Sequence, residues 1–287
     1  MDRRMFLTAI LQGSLATVLL PDSITSLLIT PYASPYHSTF DYQVSMRISA
    51  IGIGAFGAYC TRLLAYSVHN VCCHEVALYP QQICGSDLSR VDNVIQSNDL
   101  LFLLADTTQP SCGSVLAACI KIAATAGVQV VVIGPHLPLH QHSSSIVDSA
   151  VAYCTIPDPL SARNLVGLVS DLVNTNSFVG IDHGDIKAIL QSGGHGIFAS
   201  NEATGADSGT LACKQALEHL QQCGINATTC RGAMACIYGS PDMPFDLYSQ
   251  AITALDSYFP TDLSFVFGTV VDEKINNVVR VSVLAMK

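Results

Sequence analysis

The sequence predicts an α/β fold: a Rossmann-type N-terminal domain built on a parallel sheet, followed by an α+β C-terminal domain with a mixed sheet. Three observations carry this expectation. Apolar runs alternate with helical segments from residue 46 to 133. Two of those runs, 100–105 and 128–133, are almost wholly apolar. Beyond residue 173 the strict alternation gives way to less regular strands and helices. A strand that is apolar on both faces belongs inside a parallel sheet with helices above and below it.

Taken in order, 46–53 reads as a strand and 54–66 as a turn and helix. A strand at 71–78, a helix at 88–97 and a strand at 100–105 follow, then a helix at 114–126 and a strand at 128–133. Ligands of such sheets bind outside the carboxyl ends of the strands. A helix at 160–172 leads into a connection at 174–179. A helix-like segment at 185–191, a glycine-rich stretch and a helix at 209–222 come next. Strand 232–239, helix 245–258 and strands 264–269 and 278–285 close the pattern. The expected domains are an N-terminal segment and linker at 1–42, a nucleotide-binding-type domain at 43–173 and a C-terminal domain at 174–287.

The chain has 287 residues, 49% of them hydrophobic and 12% charged, a composition that folds around a sizeable core. Its net charge of −9, with no basic stripe, argues against nucleic acid as a partner. Eleven scattered cysteines, an odd number, do not make a disulfide framework. They read as small buried hydrophobes of a reducing compartment. His136, His140 and His142 form a short cluster that reads as a polar loop, since a metal site needs further ligands.

At the N-terminus Arg3 and Arg4 precede Met5, Phe6 and Leu7 and a mostly apolar run to Leu20. The pattern is similar to a twin-arginine export signal, but the run is short for a transmembrane helix. Three readings stay open: an export signal, a helix lying on a membrane surface, or a helix packed on the domain. Residues 22–42, rich in Ser, Thr, Pro and Tyr, read as a linker.

Gly52, Gly54 and Gly57 form a G-x-G-x-x-G at the end of a strand and the start of a helix. There a phosphate would rest on free backbone N–H groups and the helix dipole. Close helix–sheet packing explains the same glycines as well. A dinucleotide site also wants an acid at the end of the second strand, where this chain has Ala77, Leu78 and Tyr79. A hydride-transfer enzyme is therefore the weaker reading.

Further along, Asp182 and Asp185 stand in GIDHGDIK at 180–187. Gly194, Gly196, Ala203, Thr204, Gly205 and Asp207 follow, and Phe267, Gly268, Thr269 and Asp272 precede the closing VRVSV at 279–283. Together with IGIG at 51–54 and CTIPD at 154–158, this order resembles bacterial FtsZ of the tubulin superfamily over about residues 45–287. The resemblance implies a tubulin/FtsZ-like fold. It makes 180–187 the counterpart of the family's synergy loop, whose acids reach the next subunit's nucleotide and position the attacking water. Asp182 and Asp185 are thereby the expected catalytic residues, with simple helix capping as their bland alternative.

The same resemblance shows where the chain departs from the family. The phosphate loop G-G-G-T-G-T-G is replaced at 108–114 by TQPSCGS, in which Pro110 has no N–H to offer. Ser111 falls where the family has its first threonine, and Gly113 is out of register; with Gly52, Gly54 and Gly57 these are the expected remnants of a nucleotide site. Leu160 falls at the position of the guanine-binding aspartate, where it cannot accept hydrogen bonds from a base. The body is shorter than the family's around 79–88 and 136–160. The family continues past its last strand to a peptide that docks membrane tethers. Here Lys287 follows that strand, which makes the N-terminal segment the expected anchor.

The expectation is an FtsZ-like cytoskeletal or cell-division-related protein with a degenerate GTP pocket, weak or absent GTPase activity, and no cofactor unless GTP still binds. Its expected partners are an FtsZ-type protein or further copies of itself in filaments or dimers, with a membrane surface as a further contact. The expected location is the cytoplasm, membrane-associated, with twin-arginine export as the alternative. An active, polymerising GTPase and an exported or membrane-bound scaffold remain the competing readings.

Overall fold

The computed structural model describes residues 26–32, 46–68, 70–79, 85–108, 110–136, 151–174 and 181–287. The readings made for residues 1–25, His140, His142 and Gly180 fall outside them. The chain divides into two compact units, one formed mainly by 47–67 and 71–151, the other mainly by 152–287 with 68–70 and Met46.

In the first unit, β2 (Ile48–Ile53), β4 (Leu100–Ala105) and β5 (Gln129–Gly134) are buried at every position. β2 runs parallel to β3 (Val71–Tyr79) on one side and to β4 on the other, and β5 runs parallel to β4. Leu100, Leu101, Phe102, Leu103 and Leu104 are all fully buried, each worth about 1.5–3 kcal/mol of burial. Helix α1 (Gly54–Ser67) buries Gly57, Cys60, Thr61, Leu64 and Ala65, the i, i+3, i+4, i+7 spacing of one helical face. Helix α3 (Pro110–Ala126) buries Cys112, Val115, Leu116, Cys119, Ile120 and Ala123 at the same spacing. Between β3 and β4, α2 (Gly85–Gln96) contributes Val91 and Ile95 to the core.

Part of the stretch expected as a linker is a strand. β1 (Ser26–Tyr32) pairs antiparallel with β3, Leu28 opposite Ala77 and Pro31 opposite His74. Its serine and proline content hides it from a compositional reading, yet an outer strand hydrogen-bonded along one side tolerates proline.

The second unit carries the expected mixed sheet. β6 (Val151–Thr155) runs parallel to β7 (His195–Ala203). β10 (Val279–Met286) lies antiparallel between β7 and β8 (Gly232–Gly239), and β9 (Ser264–Val271) runs parallel to β8. Helices α4 (Pro159–Asn174), α5 (His183–Ser192), α6 (Ser208–Gln222) and α7 (Phe245–Tyr258) complete it. The small-residue face of α6, with Ala212, Cys213 and Ala216, packs in one cluster with Ala251 and Leu255 of α7 and Val281 and Val283 of β10. β7 lies where the sequence reads only a glycine-rich stretch. Its weak internal pattern is overridden by pairing with β10 over eight positions, from Gly196 opposite Met286 to Ala203 opposite Val279.

Candidate functional site

The turn from β2 into α1 is built by the three glycines of the motif. Gly54 has φ +72°, which non-glycine residues rarely adopt. A Cβ on Gly52 would lie 2.3 Å from the Gly57 carbonyl oxygen, and one on Gly57 would lie 2.2 Å from the Leu104 carbonyl oxygen. Glycine is thus required at both positions for α1 to close on β2 and β4, and the Thr61 hydroxyl donates to the Gly57 carbonyl at 3.1 Å. Glu75 on β3 is paired with Arg62 of α1 at 3.2 Å, so the nearest acid to a ribose position is already engaged.

Beside this turn, the carboxyl ends of β4 and β5 hold a polar cluster, of which the sequence reading named His136 as part of a polar loop but not Asp106. Asp106 lies one residue past Ala105, which pairs with Ile53. Its Oδ1 accepts from the Thr108 backbone N–H at 3.0 Å and from the Thr108 hydroxyl at 2.8 Å. The His136 Nδ1 stands 3.6 Å from the same oxygen, and the Thr107 hydroxyl donates to the His136 carbonyl. The Thr108 backbone N–H above all holds the Asp106 carboxyl below its ordinary value, against a smaller effect of burial, with the Thr108 hydroxyl and His136 adding to it. Asp106 thus stands one residue past the Ala105–Ile53 pair, where β2 turns into α1. For Asp106 itself the hint in the sequence is an aspartate directly after an apolar strand.

Helix α3 begins at Pro110, the first helical position, where a missing N–H costs nothing. Ser111 stands in its first turn. Gly113 has open space where a Cβ would be, so packing does not demand glycine there. The buried Cys112 thiol reaches the Ile53 carbonyl at 3.9 Å, joining the start of α3 to the end of β2. Gly52, Gly54, Gly57, Ser111 and Gly113 are therefore gathered at the carboxyl ends of β2 and β4, together with Asp106.

In the second unit, Asp182 is the N-cap of α5, its Oδ1 accepting from the Asp185 backbone N–H at 2.9 Å. Asp185 lies in the first turn, where a negative charge suits the helix dipole, and both residues are exposed. Leu160, near the start of α4, is 58% exposed. A second feature is a part-buried charged network around Asp171. The Tyr238 hydroxyl on β8 donates to Asp171 Oδ2 on α4 at 3.1 Å. Arg280 on β10 lies 4.4 Å over the Tyr238 ring and binds Asp272 at 3.1 Å. Burial first of all pushes the Asp171 carboxyl up to about 6, opposed by the Tyr238 hydrogen bond and by Arg280 and Arg163. Asp171 stands in a largely apolar run, LVGLVSDLV, where it drew no notice.

Among the described residues no group of three His, Cys, Asp or Glu side chains is placed to hold a metal, and no helix is long and apolar enough to cross a membrane. The described cysteines are free thiols. Burial pushes Cys73, Cys119, Cys154 and Cys213 up to about 12, so these four are not nucleophiles at neutral pH.

No family model matches the chain. Among curated proteins it is 28% identical over 164 residues to the cell division protein FtsZ of Rickettsia bellii, covering 55% of this chain and 34% of that protein. It is 20% identical over 129 residues to FtsZ 1 of Archaeoglobus fulgidus, covering 45% of this chain and 34% of that one. The matches thus span about a third of the relatives' own length. Among solved structures, an FtsZ W319Y mutant from M. jannaschii superposes with a TM-score of 0.70 at 15% identity, over 85% of this chain and 92% of that one. A GTPγS-bound protofilament of CetZ2 from Haloferax volcanii gives 0.56 at 13% identity, over 84% and 93%.

Proposed function

We propose that this chain, a divergent FtsZ/tubulin-like protein by its relatives and its fold, is a cytoskeletal, division-related protein that joins or caps filaments while holding GTP weakly or not at all. The observation that carries the second half is Asp106. Its carboxylate, held ionised by Thr108 and His136, stands at the strand ends beside Gly54 and repels a phosphate. Pro110 removes one backbone donor from the start of α3. Gly52 and Gly57 are explained by close packing whether or not a nucleotide binds.

The filament half rests on the M. jannaschii FtsZ dimer and the CetZ2 protofilament among the fold's relatives. It also rests on Asp182 and Asp185, exposed on α5 where they can meet another subunit. Asp182 caps its helix, so Asp185 is the acid we assign to the neighbour's nucleotide. We place the protein in the cytoplasm, with membrane contact through residues 1–24. That contact is tested by deleting them and measuring the membrane-bound fraction, which should fall.

The central test is co-sedimentation of the purified chain with an FtsZ, together with the GTP turnover of the mixture. Co-pelleting and a change in turnover that Asp185→Ala abolishes are expected; no co-pelleting and unchanged turnover would end the proposal. A second reading, residual anion binding, is favoured by the open space at Gly113 and the absence of acids in the first turn of α3. Micromolar GTP affinity in titration calorimetry would select it.

A further inference from the structure

The second unit contains a groove of about 520 Å³. It lies among the start of α6, the turn leading from β8 into α7, and the residues just before β10. Met243, Leu247 and Val278 form its apolar lining, and Asp242 and Asp246 stand exposed at its rim. No Lys, Arg or His lines it. The cation closest in sequence, Arg280, is committed to Asp272 and Glu202. Among the described residues, Asp246 is met by the Gln250 amide at 3.3 Å.

Two further details belong to the same turn. Phe245, between Pro244 and Asp246, is 74% exposed. Tyr248 is 6% exposed, yet its hydroxyl has no hydrogen-bond partner among the described residues. That hydroxyl and the Met243 thioether both lie within 3 Å of a methyl built on Gly239, which places the orphan hydroxyl under the groove-lining turn.

We propose that this groove docks a short peptide segment of a partner protein in which arginine or lysine alternates with large apolar side chains. The apolar residues would enter against Met243, Leu247 and Val278, and the cations would pair with Asp242 and Asp246. A bare acidic patch would attract any cation, whereas an apolar groove with an acidic rim selects for both properties in one segment. This assignment is independent of nucleotide and of filament assembly.

The test is fluorescence anisotropy of the full chain with a labelled synthetic octapeptide of alternating arginine and leucine. Two control peptides replace arginine by glutamate, or leucine by serine. The arginine–leucine peptide should bind, weaken with added salt, and outcompete both controls. Asp242→Asn with Asp246→Asn should weaken it by about tenfold, and Asp256→Asn, an exposed acid farther along α7, should not. Asp242→Lys, in an exposed turn, repeats the test with little risk to folding, checked by circular dichroism. Equal binding of the arginine–serine peptide, equal loss in Asp256→Asn, or no binding at all would overturn the proposal. So would a concentration-dependent dimer in sedimentation that Asp242→Lys abolishes, because the groove would then hold a second copy of the chain.

Discussion

The Tyr238 hydroxyl donates to Asp171 Oδ2 at 3.1 Å, a bond from β8 to a carboxyl buried on α4. Burial raises that carboxyl to about 6, so near neutral pH the fold carries a buried charge steadied by one tyrosine and by the nearby Arg280 and Arg163.

The pH dependence follows from the sign. A carboxyl whose folded pKa exceeds its unfolded value of about 3.9 takes up a proton on folding between the two. Its contribution to stability therefore falls as pH rises from about 4 to about 6 and stays low above that, a span of about 3 kcal/mol. His74 and His195, both lowered by burial, act in the opposite direction, losing stability as pH falls through the unfolded histidine range. Urea denaturation of the wild type and Asp171→Asn between pH 5 and 8 separates the terms. The difference between them should shift towards Asp171→Asn as pH rises to about 6 and level off above that.

Tyr238→Phe should destabilise by about 1–3 kcal/mol at pH 7.5, because an ionised buried carboxylate loses its donor. The loss should shrink at pH 5, where that carboxyl is mostly protonated. Equal losses at both pH values in urea melts would show that the bond does not serve the charged form.

Gly57→Ala sets a new Cβ 2.2 Å from the Leu104 carbonyl oxygen and should cost about 2 kcal/mol or more through forced backbone movement. Gly113→Ala enters open space within α3 and should stabilise by about 0.5–1 kcal/mol. Thermal melts of the two variants should move in opposite directions.

Asp182→Ala removes the cap of α5 and should cost about 1 kcal/mol, with Asp182→Asn recovering most of it. Asp185→Ala should leave the melting temperature within a degree or two while changing any effect on FtsZ turnover. Measuring melting and turnover on both variants separates capping from an interface role.

Asp106→Asn should raise the affinity for inorganic pyrophosphate several-fold in calorimetry, because one negative charge leaves the strand ends beside Gly54. An unchanged affinity would locate the loss of phosphate binding in Pro110 and its neighbours instead.

Much of the architecture was legible in the residues themselves. β4, β8 and α7 begin and end where the apolar pattern predicts, because all-apolar strands and a clean 3.6-residue face leave little choice. β1 and β7 were not legible, since pairing with β3 and with β10 decides their state rather than their own residues. Asp106 and Asp171 escaped notice for a related reason: a lone aspartate says nothing until its neighbours from other elements are known.

By itself the sequence determined the fold class, the order of most elements, the glycine turn and the likeness to FtsZ, because periodicity and motif spacing are local properties. Only the tertiary structure decided what Gly52 and Gly57 touch, that Asp106 stands charged at the strand ends, and that Asp171, Tyr238 and Arg280 share one buried network. Those are contacts between residues from 2 to 109 positions apart, and the folded chain brings such groups within the few ångströms at which sterics and charge take effect.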